Sequence, residues 1–158
     1  MAPLSFGSGV TLYMFQQILV TCIGNICRSP TAEYVFRERL GAGSKVQVSS
    51  AGLGALVGHG IDTTALELLR EHGIDGSAHR ARQLDRSLLR SADLVLAMER
   101  EHVVSINRMA PEASGKVFLL DRWLAAQDIP DPFRQSRAAF EHVYTLIDNS
   151  VNSWLKYL

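Results

Sequence analysis

The segment from Gln17 to Pro30 restricts the fold more than any other part of the chain. Ile18, Leu19 and Val20 form a continuous apolar run, the mark of a strand buried on both faces rather than one. Gly24-Asn25 is a turn signal. Pro30 stands where a helix can begin, because its fixed φ suits a first helical turn. Ala32, Val35, Phe36 and Leu40 then recur at helical spacing until Gly41 and Gly43 end the pattern. A buried strand turning tightly into a helix is the opening half of a parallel βαβ unit.

The same alternation continues to the end of the chain. Strands are expected over 46–50, 94–98 and 116–120. Helices are expected after Asp62, over 85–90 and over 99–109. A long final helix carries Phe140, Val143, Ile147, Val151, Trp154 and Leu158. Strands alternating with helices predict an α/β fold: a four-stranded parallel sheet with helices on both faces. Sites in such folds lie at the carboxyl ends of strands, which directs attention to the loop after the first one. Residues 14–158 read as one domain. Residues 1–13, small and uncharged, read as a flexible extension; an added packed strand over 10–15 is the alternative.

Composition excludes several classes. Sixteen Lys and Arg balance sixteen Asp and Glu, so no overall field draws the chain to nucleic acid or an anionic membrane. No apolar run approaches the ~18 residues of a membrane helix. No Lys or Arg precedes Arg28, which argues against a secretory signal and for a cytoplasmic protein. Two cysteines, Cys22 and Cys27, are too few for a disulfide scaffold or a four-cysteine zinc site. His59, His72, His102 and His142 show no metal-ligand spacing and read as surface or packing residues. Neither a metal nor an organic cofactor is expected.

Both cysteines sit in the expected strand-to-helix loop, Cys22-Ile23-Gly24-Asn25-Ile26-Cys27-Arg28-Ser29-Pro30. Successive backbone N–H groups in such a turn make an anion-binding concavity, and the helix N-terminus adds positive potential. Arg28 can take two phosphate oxygens bidentately. A cysteine sulfur in that field is held as the nucleophilic thiolate. No Gly-Lys-Ser/Thr triplet is present, which excludes a nucleotide P-loop. Two cysteines acting only as small buried hydrophobes would leave Arg28 and Ser29 unexplained.

Cys-x5-Arg-Ser with Gly24, Asn25 and Cys27, followed far downstream by Asp131-Pro132, resembles the low-molecular-weight protein tyrosine phosphatases. The resemblance runs from about residue 15 to the C-terminus. Segments 49–58, 81–84 and 129–136 are similar to the bacterial branch linked to capsule and exopolysaccharide production. It implies that Cys22 attacks phosphorus and forms a cysteinyl-phosphate intermediate. Arg28 and the amides of Ile23, Gly24, Asn25, Ile26 and Cys27 bind the phosphoryl oxygens. Ser29 is expected to donate to the Cys22 sulfur, with a plain helix cap as the alternative. Asn25 is expected in a left-handed conformation held by Ser29, Ser50 and His79. Cys27 is expected to trap an oxidised Cys22 as a disulfide, unless it only packs beneath the loop.

Asp131 matches the family's general acid, ahead of Asp128, which reads as a solvated loop charge. Phe133 forms one wall of the pocket, and Leu53 with its neighbours through Val57 the other. Phe133-Arg134 stands where eukaryotic relatives carry two tyrosines. The resemblance implies a phosphotyrosine protein as substrate, the tyrosine-rich tail of a membrane autokinase. Three alternatives share the fold or the site. An arsenate reductase would need cysteines beyond Cys27. An arginine phosphatase carries Thr where this chain has Ile26. A non-catalytic phosphotyrosine-binding module would not need nucleophile and acid together.

Overall fold

The computed structural model of the chain describes residues 4–6, 10–12 and 15–158. β1 (Leu4–Phe6) and β2 (Val10–Leu12) pair as an antiparallel ribbon. The rest of the expected extension over 1–13, and residue 14, lie outside the described residues.

β3 (Gln17–Cys22), β4 (Gln47–Gly52), β5 (Leu94–Ala97) and β6 (Val117–Leu119) form one parallel sheet in the order β4-β3-β5-β6. β3 is central, and its apolar run is buried on both faces as its composition requires. Ile18 and Val20 face a core built with α1 (Arg28–Leu40), α2 (Thr63–Glu71) and α5 (Arg137–Trp154), where Phe36, Leu69, Ile147 and Trp154 pack. Leu19 faces the opposite core, built with α3 (Arg86–Ser91) and α4 (Arg100–Met109) through Leu89 and Ile106. Each such buried side chain contributes about 1.5–3 kcal/mol relative to exposure.

Element ends differ from expectation where side chains or pairing intervene. β4 extends to Gly52 because Gly52 pairs with Cys22 and exchanges backbone hydrogen bonds with the 82–84 strip. α4 starts at Arg100, with Glu99 extended before it. After Met109, Pro111–Lys116 is a 3₁₀ turn, and α5 ends at Trp154 in another, Leu155–Tyr157. Among the described residues, no helix is long and apolar enough to cross a membrane.

The chain leaves β3 to pair with β4 on one side and returns to place β5 on the other. That reversal opens a crevice at the carboxyl ends of the strands. Cys22 is the last residue of β3 and stands at its mouth.

Candidate active site

The loop from Cys22 to Arg28 is turned so that its carbonyls point out and its amides are left over. Five of these carbonyls accept backbone N–H groups. Cys22 takes Leu53 at 2.9 Å, Ile23 takes Gly54 at 3.0 Å and Gly24 takes Leu56 at 3.0 Å. Ile26 takes Asp62 at 2.7 Å and Cys27 takes Thr31 at 3.1 Å. The Asn25 carbonyl accepts from His79 Nε2 at 2.7 Å. None of the amides of residues 23–27 donates to a protein acceptor among the described residues. With every carbonyl drawn outward, the concave side presents donors alone, which is what an anion requires. α1 adds its N-terminus: Cys27 occupies the N-cap without a side-chain cap bond, leaving the first turn's amides uncapped.

Asn25 is the hub of the loop. Its φ of 57° is left-handed, as expected for Asn at a tight turn. Its Oδ1 accepts the Arg82 backbone N–H at 2.9 Å, which fixes the amide's orientation. Nδ2 therefore donates, to Ser29 Oγ at 2.8 Å and Ser50 Oγ at 2.9 Å. Ser50 passes its own proton to buried Glu33 Oε1 at 2.6 Å, and Glu33 is paired with Arg37 at 2.6 Å. Ser29, already accepting from Asn25, has its hydroxyl proton free for Cys22 Sγ at 2.8 Å. Ser29 lies within α1, at its second position, and its side chain meets the Cys22 sulfur and the Asn25 amide.

Arg28 is 2% exposed along its side chain and is held from three directions. Nη1 donates to Glu99 Oε2 at 2.6 Å and to the Ile129 carbonyl at 2.7 Å. Nη2 lies 3.8 Å from Asp131 Oδ2. The 129–131 segment is thus tied to the 22–28 loop through the same arginine. Ile129 also donates its N–H to the Met98 carbonyl at 2.9 Å, just past β5. Asp131 Oδ1 accepts the Phe133 N–H at 3.0 Å, and half of its side chain is open to solvent.

These groups enclose a cavity of about 210 Å³ lined by Cys22, Ile23, Gly24, Ile26, Cys27, Arg28, Gly54, Leu56, Asp131 and Phe133. Phe133 is the expected wall, with the Arg134 guanidinium 5.2 Å from its ring centroid. The opposite wall is Leu56. Leu53 does not line the cavity: just past β4, with its N–H held by the Cys22 carbonyl, it is half-buried against the Leu19 core. Asn25 is fully buried and faces the support network, away from the cavity lining. Asp128 is an exposed loop charge as expected, and its Oδ1 also accepts the Arg100 N–H at 2.9 Å, capping α4. Burial pushes the Cys27 thiol well above its usual range, with nearby Cys22 and Asp62 acting in the same direction. Among the described residues, no cluster of three or more His, Cys, Asp or Glu side chains is placed to hold a metal ion.

Residues 17–158 match the model of the low molecular weight phosphotyrosine protein phosphatase family. The chain belongs to that family. It is 48% identical over 145 residues to the low molecular weight protein-tyrosine-phosphatase Wzb of Escherichia coli K12, covering 92% of this chain and 97% of that one. Its fold matches the structure of Vibrio vulnificus Wzb in complex with benzylphosphonate with a TM-score of 0.87 and 42% identity, covering 91% of this chain and 99% of that one. The Erwinia amylovora tyrosine phosphatase AmsI matches at a TM-score of 0.86 and 39% identity, over 98% of both chains. Glu33, Gly52, Arg82 and Glu99 are the residues around the site that sequence reasoning missed, whereas Leu56 falls within the wall expected over 53–57. Nothing in their sequence neighbourhood singles out Glu33 or Glu99; tertiary packing brings Glu33 to Ser50 and Glu99 to Arg28.

Proposed function

We propose that the chain hydrolyses phosphotyrosine in proteins through a phosphoryl group carried on Cys22, with Asp131 as proton donor and then acceptor. The observation that carries this reading is the donor-only concavity with Cys22 Sγ at its centre and Asp131 opening on the same cavity. Cys22 attacks phosphorus in line with the tyrosyl oxygen. The S–P bond forms as the P–O bond breaks, and Asp131 gives its proton to the departing phenolate. The free amides of the loop and Arg28 take the equatorial oxygens, whose charge grows in the transition state. Ser29 donates to the sulfur and stabilises it as the leaving group of the second step. Asp131, now ionised, takes a proton from water as its oxygen attacks phosphorus; phosphate leaves and the Cys22 thiolate is restored.

The cavity suits an aryl phosphate. Phe133 and Leu56 flank it, so a phenyl ring packs between them while the phosphate reaches the loop. A phosphoserine side chain is too short to place its phosphate at Cys22 while the backbone stays outside. The substrate we infer is the phosphotyrosine tail of a membrane autokinase in capsule or exopolysaccharide production, and the working compartment is the cytoplasm. Relatives such as Wzb and AmsI are named protein-tyrosine-phosphatases, which supports phosphotyrosine as the substrate group. We further infer that residues 14–158 are the catalytic domain.

The test is steady-state turnover of phosphotyrosine, phosphoarginine and phosphoserine peptides without added metal. Phosphotyrosine should be preferred, Cys22→Ser should be inactive, and Asp131→Asn should lower kcat about 10²–10⁴-fold. A chain starting at Met14 should match the full chain. Preference for phosphoarginine, dependence on metal, or an unchanged kcat in Asp131→Asn would contradict the reading.

A further inference from the structure

α4 carries a buried imidazole that the reaction above does not use. The His102 side chain is 5% exposed, and its Nε2 lies 3.2 Å from Glu99 Oε2. That is the same oxygen that accepts from Arg28 Nη1 at 2.6 Å. His102 Nδ1 is buried and has no hydrogen-bond partner among the described residues. A ring nitrogen facing a carboxylate carries the proton, so Nε2 is the donor and Nδ1 the bare lone pair. Protonating Nδ1 would bury an N–H without an acceptor. The charged groups around the ring are Glu99 and Glu101 near its own helix, Arg28 from α1 and Asp128 from the acid loop. Burial is the largest influence and holds the imidazole below its usual range, against the pull of the carboxylates. The ring is therefore neutral, with Nε2 3.2 Å from Glu99 Oε2 and no added cation to compete with Arg28. Filling the space would need only an apolar side chain such as Leu, with no stranded nitrogen.

We propose that His102 is a positioning residue for Arg28: its neutral N–H fixes Glu99 Oε2, and the fixed carboxylate aims the guanidinium into the phosphate cavity. Glu99 has a partly open side chain, 27% exposed, and without His102 its oxygen is tethered by Arg28 alone. A guanidinium whose counter-ion swings is aligned for phosphate only part of the time. The inference rests on Arg28 being the phosphate-binding group.

The experiment is a double-mutant cycle of His102→Leu and Glu99→Ala, with His102→Gln as the conservative variant. It reads kcat for para-nitrophenyl phosphate and competitive inhibition by vanadate, with thermal unfolding followed in parallel. His102→Leu should lower kcat and weaken vanadate inhibition about tenfold, since misplacing a transition-state group by a fraction of an ångström has effects of that order. His102→Gln, which keeps an N–H donor, should recover most of both. In the Glu99→Ala background, His102→Leu should change neither. If His102→Leu does not fold, His102→Met takes its place with the same expected results. The proposal is overturned if the apolar variant stays within about twofold of wild type on both readouts. It is equally overturned if the losses are the same with and without Glu99, or if His102→Gln is as impaired as the apolar variant. A wild-type chain with no turnover fails the phosphatase reading, whereas an active wild type indifferent to His102 fails only this one.

Discussion

A β-carbon on Gly52 would lie 2.3 Å from the Ile23 carbonyl oxygen and 3.1 Å from the Asn25 nitrogen. Both are backbone atoms of the phosphate loop, so neither can swing aside. Gly52→Ala must push the loop away from β4, breaking the contacts that turn its carbonyls outward. We expect kcat to fall by about 10²-fold with a folded chain retained, measured by turnover and thermal unfolding. Activity near wild type would mean that the loop tolerates displacement. This constraint is invisible in the sequence, where Gly52 is one of several glycines after the strand expected over 46–50. Asn25, Ser29, Ser50 and His79 were legible because they belong to a recurring motif. Glu33 was not: four residues before Arg37 on a helix, it looks like an exposed charge pair. It is buried only because β4 packs over that face and brings Ser50 within hydrogen-bond reach.

Between elements, the decisive feature is how the acid loop is moored. Asp131 owes its place to Ile129, whose N–H and carbonyl bind Met98 and Arg28, and to Asp128, which caps α4. Arg100 also donates to the Ala126 carbonyl at 2.9 Å, and the buried Asp121 carboxylate accepts from Ser150 Oγ at 2.8 Å and Gln127 N at 3.1 Å. The stretch leading into Asp131 is thus fixed to α4 and α5. Asp128→Ala removes the cap and should lower stability by about 1 kcal/mol. It should also reduce kcat more than it changes KM, since it disturbs the acid rather than the phosphate cradle. An unchanged kcat would show that Ile129 alone sets the loop. The sequence pointed to Asp131 through its proline neighbours. It could not show that the exposed Asp128 also caps α4, because the partner N–H lies on a different element. Within the wall expected over 53–57, Leu56 lines the cavity, while Leu53, just past β4, packs against the Leu19 core.

At the scale of the molecule, balanced charge and a concentrated positive site coexist because the site is made mostly of backbone. The parallel sheet puts Cys22 at the end of its central strand. The reversal of strand order opens the crevice there, and helices on both faces exclude water from everything but the mouth. This architecture was legible from alternation alone, since a double-faced apolar strand leaves few other folds open. The central claim is that the phosphoryl group passes through sulfur on Cys22. The most direct measurement is mass spectrometry of the chain quenched during turnover of para-nitrophenyl phosphate. A single phosphoryl group on the peptide containing Cys22, lost in Cys22→Ser together with turnover, is the predicted result. Turnover that survives Cys22→Ser, or a phosphoryl group found on any other residue, would contradict it.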